Sequence, residues 1–258
     1  MGDLDFRTHA EVVPRTVALA PSADLRVPDG AHAVLRDYFG AAQAAGDGPQ
    51  AFLVEDYPVD SQLGAHFHDV DQFQVFLPAP GAYYQRTPLD APMVHYADRY
   101  TTYGPFGSGE PGFAFLTLRR HAAAVTAFMP RSRDLLAGRP GRNRHVRVAG
   151  RDRAPADGPA GHGVEVEALF GPDPDRMAAS VVTIEAGATA SLAEDEGSDG
   201  RYLLVLDGTA ETAEGRRLGP LSLGWSDPGG APVVLRGGAD GARVVVMQFP
   251  GRAEEDAR

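Results

Sequence analysis

The chain of 258 residues is long enough for one large domain or two small ones, and its composition excludes several kinds of chemistry. All 24 basic residues are arginine, and the absence of lysine disfavours Schiff-base enzymes and P-loop nucleotide hydrolases. The absence of cysteine excludes disulfides, thiolate nucleophiles, iron–sulfur clusters and thiolate zinc sites. Any metal must therefore be held by nitrogen and oxygen ligands.

The net charge of −11 disfavours nucleic acid as a partner, because a duplex-binding surface needs clustered positive charge. The local exception is the arginine-rich stretch 131–153, which we interpret first as a solvated linker and second as an anion-binding surface. The N-terminus lacks the pattern of a signal peptide, and no apolar run is long enough to span a membrane. We therefore expect a cytoplasmic protein with no membrane association, whose partner is a small molecule.

The first elements in chain order are a strand over residues 16–27, broken by Pro21, and a helix over about residues 31–45. Asp29 or Gly30 can begin this helix, and Gly46 can end it. The apolar residues that favour the helix are Val34, Leu35, Tyr38 and Phe39.

From Ala51 to Leu118, short apolar runs alternate with clusters of Pro, Gly and Asp, which is typical of an antiparallel sandwich or barrel. These runs are AFLVEDY, QFQVFL, MVHYA and FAFLTL. We therefore assign residues 1–120 to a first domain. Residues 121–162 are predicted to be a linker, with a helix at 122–128 that resumes at 132–136 and then a Gly/Pro/Arg-rich stretch.

The strand pattern returns from Gly163, and residues 163–251 are predicted to form a second domain. Its runs are VEVEALF, MAASVVTI, RYLLVLDGTAE, PLSLGW, APVVLR and ARVVVMQF. The DGTA segment at 207–210 predicts a tight hairpin, because Asp-Gly supplies the positive φ angles that such a turn requires. Residues 252–258 are a polar tail.

The strongest motif is GAHFHDVDQFQVFLPAPG, residues 64–81. Residues two apart share one face of a strand, so His66 and His68 should point the same way. After a turn at Asp69–Asp71, the side chains that share a face of the returning strand are Gln72, Gln74 and Phe76. Two imidazoles and an amide oxygen can therefore converge on one point.

This stretch resembles the first motif of the cupin superfamily, in which a glycine precedes a His-x-His pair, a glutamate and a closing glycine. Gln72 stands where the glutamate is expected, and Ala79 and Gly81 bracket the position of the closing glycine. His95, in LDAPMVHYADRYTTYGPF, is similar to the histidine of the second cupin motif. The resemblance implies a mainly β bicupin: two jelly-roll barrels with a few helices in the N-terminal segment and the linker. The second barrel would lack metal histidines, since no histidine follows His162.

The resemblance also implies one divalent transition metal, held by His66, His68, Gln72 and His95. Fe(II) is favoured, and Zn, Ni, Mn and Cu are alternatives. A glutamine in place of a carboxylate removes a negative charge and should weaken the binding of a hard dication. Gln74 either substitutes as a ligand or orients a histidine. The alternative interpretation is that these histidines line the interior without a metal.

The first functional hypothesis is a metal-dependent dioxygenase acting on a small anionic or aromatic molecule, because three neutral ligands leave coordination positions open. Arg99 and Tyr103 are the candidate catalytic residues, since arginine binds a carboxylate in a fork and tyrosine donates a proton. Arg99 shares the face of His95 only if that strand stays regular. The alternatives are a cupin isomerase or lyase and a non-catalytic binding or sensor protein, with the second barrel retained for packing or for a homodimer.

Overall fold

The computed structural model describes residues 4–42, 46–110, 112–136, 141–149, 163–193 and 196–251. This part of the chain is nearly all β, as the strand pattern predicts, and its one helical segment is a turn of 3₁₀ helix at Arg133–Leu135. The chain divides into two compact units, which we call the first unit (Val13–Arg153) and the second unit (Met1–Val12 with Ala154–Arg258). No helix of the described residues is long and apolar enough to cross a membrane.

In chain order the strands are β1 Asp5–Arg7, β2 Pro14–Ala18, β3 Leu25–Arg26, β4 His32–Phe39, β5 Gln50–Tyr57, β6 Ser61–Leu63, β7 His66–His68, β8 Gln72–Phe76, β9 Tyr83–Tyr84, β10 Thr87–Pro88, β11 Met93–Ala97, β12 Phe106–Ser108, β13 Phe113–Arg119, β14 Thr126–Phe128, β15 Asn143–Arg147, β16 Val164–Phe170, β17 Ala178–Ile184, β18 Thr189–Leu192, β19 Arg201–Thr212, β20 Arg217–Leu218, β21 Leu223–Ser226 and β22 Val233–Gln248.

The first unit contains three antiparallel sheets. A seven-stranded sheet has the order β15-β11-β8-β13-β5-β4-β2, a five-stranded sheet has the order β10-β9-β12-β6-β3, and β14 pairs with β7. In the seven-stranded sheet, Arg119 of β13 lies opposite Gln72 of β8 on one side and Gln50 of β5 on the other. Two residues after Gln72 on β8, Gln74 lies opposite His95 of β11 on one side and Thr117 of β13 on the other. The register thus aligns polar side chains in two neighbouring rows.

A buried aromatic cluster supports these polar rows. Phe76 is two residues beyond Gln74 on β8, and its ring packs 5.1 Å from that of Phe106 and 5.8 Å from that of Phe115. Phe113 stacks nearly parallel to Phe76, at an interplanar angle of 5°. All four rings are at most 6% exposed. Burial of these aromatic side chains stabilises the strands that carry the polar rows.

The second unit is built around one eight-stranded antiparallel sheet in which the long strand β22 pairs with β17, β18 and β19. Strand β1 of the N-terminus pairs with β21, and Phe6 is 3% exposed. A Cβ atom at Gly224 would lie 2.4 Å from the Phe6 ring, so only glycine permits this approach. The N-terminal residues therefore belong to the second unit, which corrects the predicted 1–120 domain. The two-barrel arrangement stays a prediction.

The predicted helix at residues 31–45 is wrong. The described residues of this stretch form β4, which pairs with β2 and β5, and residues 43–45 lie outside the described residues. A register shift between Asp37 and Phe39 buries the consecutive residues Tyr38 and Phe39. This bulge produces the spacing of apolar residues that favoured a helix. Sheet pairing on both sides then outweighs the local helix propensity.

The predicted linker is also corrected. Thr126–Phe128 pairs with His66–His68 as β14 where a helix was expected, and the later helix is only the turn Arg133–Leu135. Asn143–Arg147 forms β15 at the edge of the seven-stranded sheet. The segment therefore contributes two strands to the first unit. Residues 137–140 and 150–162, and the predicted tail 252–258, lie outside the described residues.

The DGTA segment does not form a hairpin. Strand β19 continues through it to Thr212, with register shifts against β22 on either side of Asp207 and Gly208. Gly208 has φ of 74°, so the expected positive φ angle occurs in a bulge of a long strand. The chain reverses after Thr212, whose N–H donates to Arg216 O.

Candidate functional site

His66 and His68 lie side by side on β7 with their ring centroids 5.3 Å apart. Nδ1 of His66 lies 2.8 Å from the carbonyl oxygen of Gly64, and Nδ1 of His68 lies 2.8 Å from that of Val125. A carbonyl only accepts, so each Nδ1 carries the proton and each Nε2 has a lone pair. Backbone carbonyls orient metal-binding imidazoles in the same way. Within the described part of the chain, Nε2 of His66 has no hydrogen-bond partner.

Arg119, at the end of β13, takes the lone pair of His68. Its Nη2 donates to His68 Nε2 at 3.0 Å, its Nη1 donates to Gln50 Oε1 at 2.9 Å, and its Nε donates to Gln72 Oε1 at 3.1 Å. Arg119 is 8% exposed. Each of these three acceptors is neutral. A buried cation thus stands at the ring nitrogen that a metal would use.

Tyr103 completes the network. Its backbone pairs with that of His66, and the centroids of the two rings are 4.4 Å apart. Gln72 uses its oxygen to accept from Arg119, so its Nε2 donates to the Tyr103 hydroxyl at 2.5 Å. The proton of that hydroxyl has no acceptor among the described residues. The packed rings of Tyr103 and His66 thus bring a hydroxyl donor and an unprotonated imidazole nitrogen into the same interior.

His95 makes a different set of contacts. Asn143 donates its Nδ2 to Thr102 O, so its Oδ1 faces Nε2 of His95, 3.1 Å away, and Nε2 must carry the proton. Nδ1 of His95 lies 3.1 Å from Oε1 of Gln74. A neutral His95 protonated at Nε2 has a lone pair at Nδ1, so we assign the Gln74 amide in the opposite orientation, with its NH₂ group donating to Nδ1. Both ring nitrogens of His95 are used within the protein. Gln74 therefore orients a histidine.

Burial keeps all three imidazoles neutral. Desolvation lowers the pKa of His66 to about 4, that of His68 to about 2 and that of His95 to about 3. The positive charge of Arg119 adds to this effect at His66 and His68. Burial likewise raises the pKa of Tyr103, so its hydroxyl stays protonated near neutral pH. The site is a neutral hydrogen-bonding network around one permanent cation.

The predicted metal set does not fit this arrangement. Among the described residues, no group of three His, Asp or Glu side chains is placed to hold a metal ion. His68 Nε2 is hydrogen-bonded to Arg119, His95 Nε2 is protonated, and Gln72 Oε1 accepts from Arg119. A dication at His66 and His68 would also be repelled by the guanidinium, by roughly 4 kcal/mol per unit of charge at 4 Å and an effective dielectric constant of 20.

Arg99 does not reach this network through strand parity. Strand β11 ends at Ala97, and residues 98–101 form a turn closed by the hydrogen bond from Thr101 N–H to Asp98 O. The backbone N–H of Arg99 donates to Asp71 Oδ1 at 2.9 Å. The condition of a regular strand is therefore not met, so strand parity does not place Arg99 on the face of His95, and its assignment as a catalytic residue stays a prediction.

Three residues of the network escaped the sequence analysis: Arg119, Gln50 and Asn143. Arg119 had a detectable signal, because it follows Phe115 and Thr117 at alternate positions of an apolar strand and so faces the interior. Gln50 and Asn143 had no signal in the sequence. Each lies at the start of its strand, and only the pairing of β5 with β13 and of β15 with β11 brings them to the site.

The arginine-rich stretch is largely neutralised where it is described. Arg142 forks onto Asp98 with contacts of 2.9 to 3.1 Å. Arg131 pairs with Asp24, and Arg147 pairs with Asp90 at 2.7 Å. These carboxylates reduce the charge available for an anion-binding surface.

Comparison with known proteins identifies the fold. No family model matches the chain, and no curated protein matches its sequence. Solved structures that superpose on it include a bacterial pirin of Escherichia coli in complex with nickel(II) (TM-score 0.54, 11% identity, 97% of this chain and 100% of that chain). A variant of Bacillus subtilis oxalate decarboxylase (0.53, 10%, 96% and 77%) and the 11S allergen of Cocos nucifera (0.55, 12%, 96% and 90%) also superpose. At such identities the likeness shows the fold alone: the chain has the cupin fold.

Proposed function

We propose that the chain is a cupin-fold protein that binds a small anionic, carbonyl-bearing molecule in the first unit without a metal. The observation that carries this proposal is the guanidinium of Arg119, held by three neutral acceptors beside His66 and Tyr103. Arginine recognises carboxylates and phosphates through paired N–H donors. The Tyr103 hydroxyl supplies a further donor, and Nε2 of His66 supplies an acceptor for a hydroxyl or acid proton of the ligand.

Among the buried residues of the network, His68 and Arg119 are 7% and 8% exposed, whereas His66, Gln72, His95 and Tyr103 are at most 2% exposed. We therefore propose that a ligand approaches the network from the side of His68 and Arg119. The aromatic rings of Tyr103 and Phe106, which pack near His66, favour a ligand that itself carries an apolar or aromatic part.

Replacement of Tyr103 by phenylalanine is expected to weaken the binding of benzoate, a small aromatic carboxylate, by about 10-fold or more. The reason is that a hydrogen bond to a charged group contributes roughly 1.5 to 3 kcal/mol. Calorimetric titration of the wild type and the variant measures the change, with Tyr83→Phe, on β9, as the matched control. Addition of EDTA should leave wild-type binding unchanged. Binding that EDTA abolishes, or that survives Tyr103→Phe undiminished, would contradict the proposal.

The second candidate function is the metal-dependent oxygenase, with Fe(II) as the favoured metal. One observation favours it: His66 and His68 both have the Nδ1–H tautomer, so neither Nε2 atom carries a proton. Arg119 must leave His68 before this candidate can operate. A metal-dependent isomerase or lyase likewise requires that Arg119 release Nε2 of His68. Benzoate binding that disappears on chelation is the result that would favour this class over a binding protein.

A further inference from the structure

His66 and His68 have the tautomer that metal-binding histidines need, but Arg119 occupies the metal-binding nitrogen of His68. Both imidazoles are fixed by backbone carbonyls, so both present unprotonated Nε2 atoms. Imidazole nitrogens suit Zn, Cu, Fe and Ni. Gln72 Oε1 is a third atom that can bind a metal, and it contacts the same guanidinium as His68 Nε2.

Arg119 links two of these three donor atoms. Its Nη2 lies 3.0 Å from His68 Nε2, and its Nε lies 3.1 Å from Gln72 Oε1. A nitrogen ligand needs its lone pair free to bind a metal at about 2.0 to 2.1 Å. The single lone pair of His68 Nε2 cannot serve a guanidinium and a metal at once. The two occupants exclude each other.

The fold holds Arg119 in this position. Strand register sets it between Gln72 of β8 and Gln50 of β5, and both amides accept hydrogen bonds from its guanidinium. These three contacts hold the planar guanidinium of Arg119 in one position and orientation inside the protein. Its charge also contributes to the low pKa values of His66 and His68.

We propose that the guanidinium of Arg119 replaces the metal ion at His68, so that this one side chain keeps the first unit metal-free and its removal creates a divalent-metal site. The ligands of the created site are Nε2 of His66, Nε2 of His68 and Oε1 of Gln72. His95 takes no part, because its Nε2 is protonated and bonded to Asn143. The inference stands on hydrogen bonds inside the protein and does not depend on the ligand of the proposed function, so a failure of benzoate to bind leaves it intact.

Titration with Co(II) tests the inference, because cobalt bound by nitrogen ligands has a visible absorption spectrum. The proteins compared are the wild type, Arg119→Gln, and Arg119→Gln combined with His68→Ala, with Arg86→Gln as the control for loss of an exposed arginine. The Gln side chain is neutral and too short to make the three contacts of Arg119. Each protein is dialysed free of metal, loaded with Co(II), and analysed for cobalt and for its circular dichroism spectrum.

The expected result is about one equivalent of Co(II) in Arg119→Gln, bound about 100-fold or more tighter than by the wild type, and a loss of that binding with His68→Ala. The wild type and Arg86→Gln should retain no stoichiometric cobalt. A folded Arg119→Gln protein that binds no cobalt would overturn the inference. So would a wild type that binds one equivalent through His68. If Arg119→Gln does not fold, Arg119→Met, which keeps an unbranched stem without the charge, is titrated in its place. One equivalent of cobalt bound through His68 by the wild type would overturn the inference whether or not a variant folds.

Discussion

Replacement of Arg119 by alanine should lower the free energy of unfolding by about 3 to 5 kcal/mol. The substitution removes three charge-assisted hydrogen bonds and leaves the acceptor atoms of Gln50, His68 and Gln72 buried without that donor. An unsatisfied buried polar atom costs about 1 to 3 kcal/mol. Relief of the desolvation of the guanidinium offsets part of this loss, which is why the expected value lies below the simple sum.

Denaturant unfolding of the wild type and the variant measures this difference. Arg86→Ala is the matched control, because Arg86 is exposed and its loss should change the free energy of unfolding by less than about 0.5 kcal/mol. Arg119→Lys should recover only part of the stability, since an ammonium group cannot present the planar fork that reaches three separated acceptors. An Arg119→Ala protein as stable as the wild type would contradict the central role given to this side chain.

The second large expected effect is a steep loss of stability in acid. His66, His68 and His95 have folded-state pKa values of about 4, 2 and 3, against 6.5 for the free side chain. Below pH 6.5 the unfolded chain therefore binds protons that the folded chain does not, and stability falls as the pH falls. Each of these histidines contributes up to about 1.4 kcal/mol per pH unit until the pH reaches its folded pKa.

Asp71 acts in the opposite direction. Burial raises its pKa from 3.8 to about 6, so between these values the folded chain holds a proton that the unfolded chain has lost. Three histidines outweigh one carboxyl group, and the free energy of unfolding should still fall between about pH 6 and pH 4. His95→Gln should reduce the slope by about one proton. A stability that is constant over this range would show that the three histidines are not held neutral.

The sequence predicts some of these elements accurately and others not at all. The run MVHYA coincides with β11, and VEVEALF coincides with β16, because alternating or continuous apolar runs between turn residues leave few other structures. The His-x-His pair likewise identifies two side chains on one face. In contrast, Tyr38 and Phe39 suggested a helix because a bulge in a strand and a turn of helix can give similar apolar spacing.

The environment of the histidines could not be predicted, for a physical reason. His68 and Arg119 are 51 residues apart, and their contact depends on the pairing of β13 with both β8 and β5. The sequence shows that His95 is present, but only the position of Asn143 on β15 determines which of its nitrogens carries the proton. The residues that the cupin resemblance implies as metal ligands thus lie in one interior, but hydrogen bonds within the protein occupy the metal-binding atoms of His68, Gln72 and His95.

The most direct test of this account is a long-range ¹H–¹⁵N spectrum of the histidine rings of the wild type at about pH 7. The account predicts three neutral buried rings: His66 and His68 protonated at Nδ1, and His95 protonated at Nε2. The His68 signals should not change when EDTA or a divalent metal is added, and they should change in Arg119→Gln. A wild-type spectrum in which chelation or metal addition shifts Nε2 of His66 and His68 would show that a metal, and not Arg119, occupies this site.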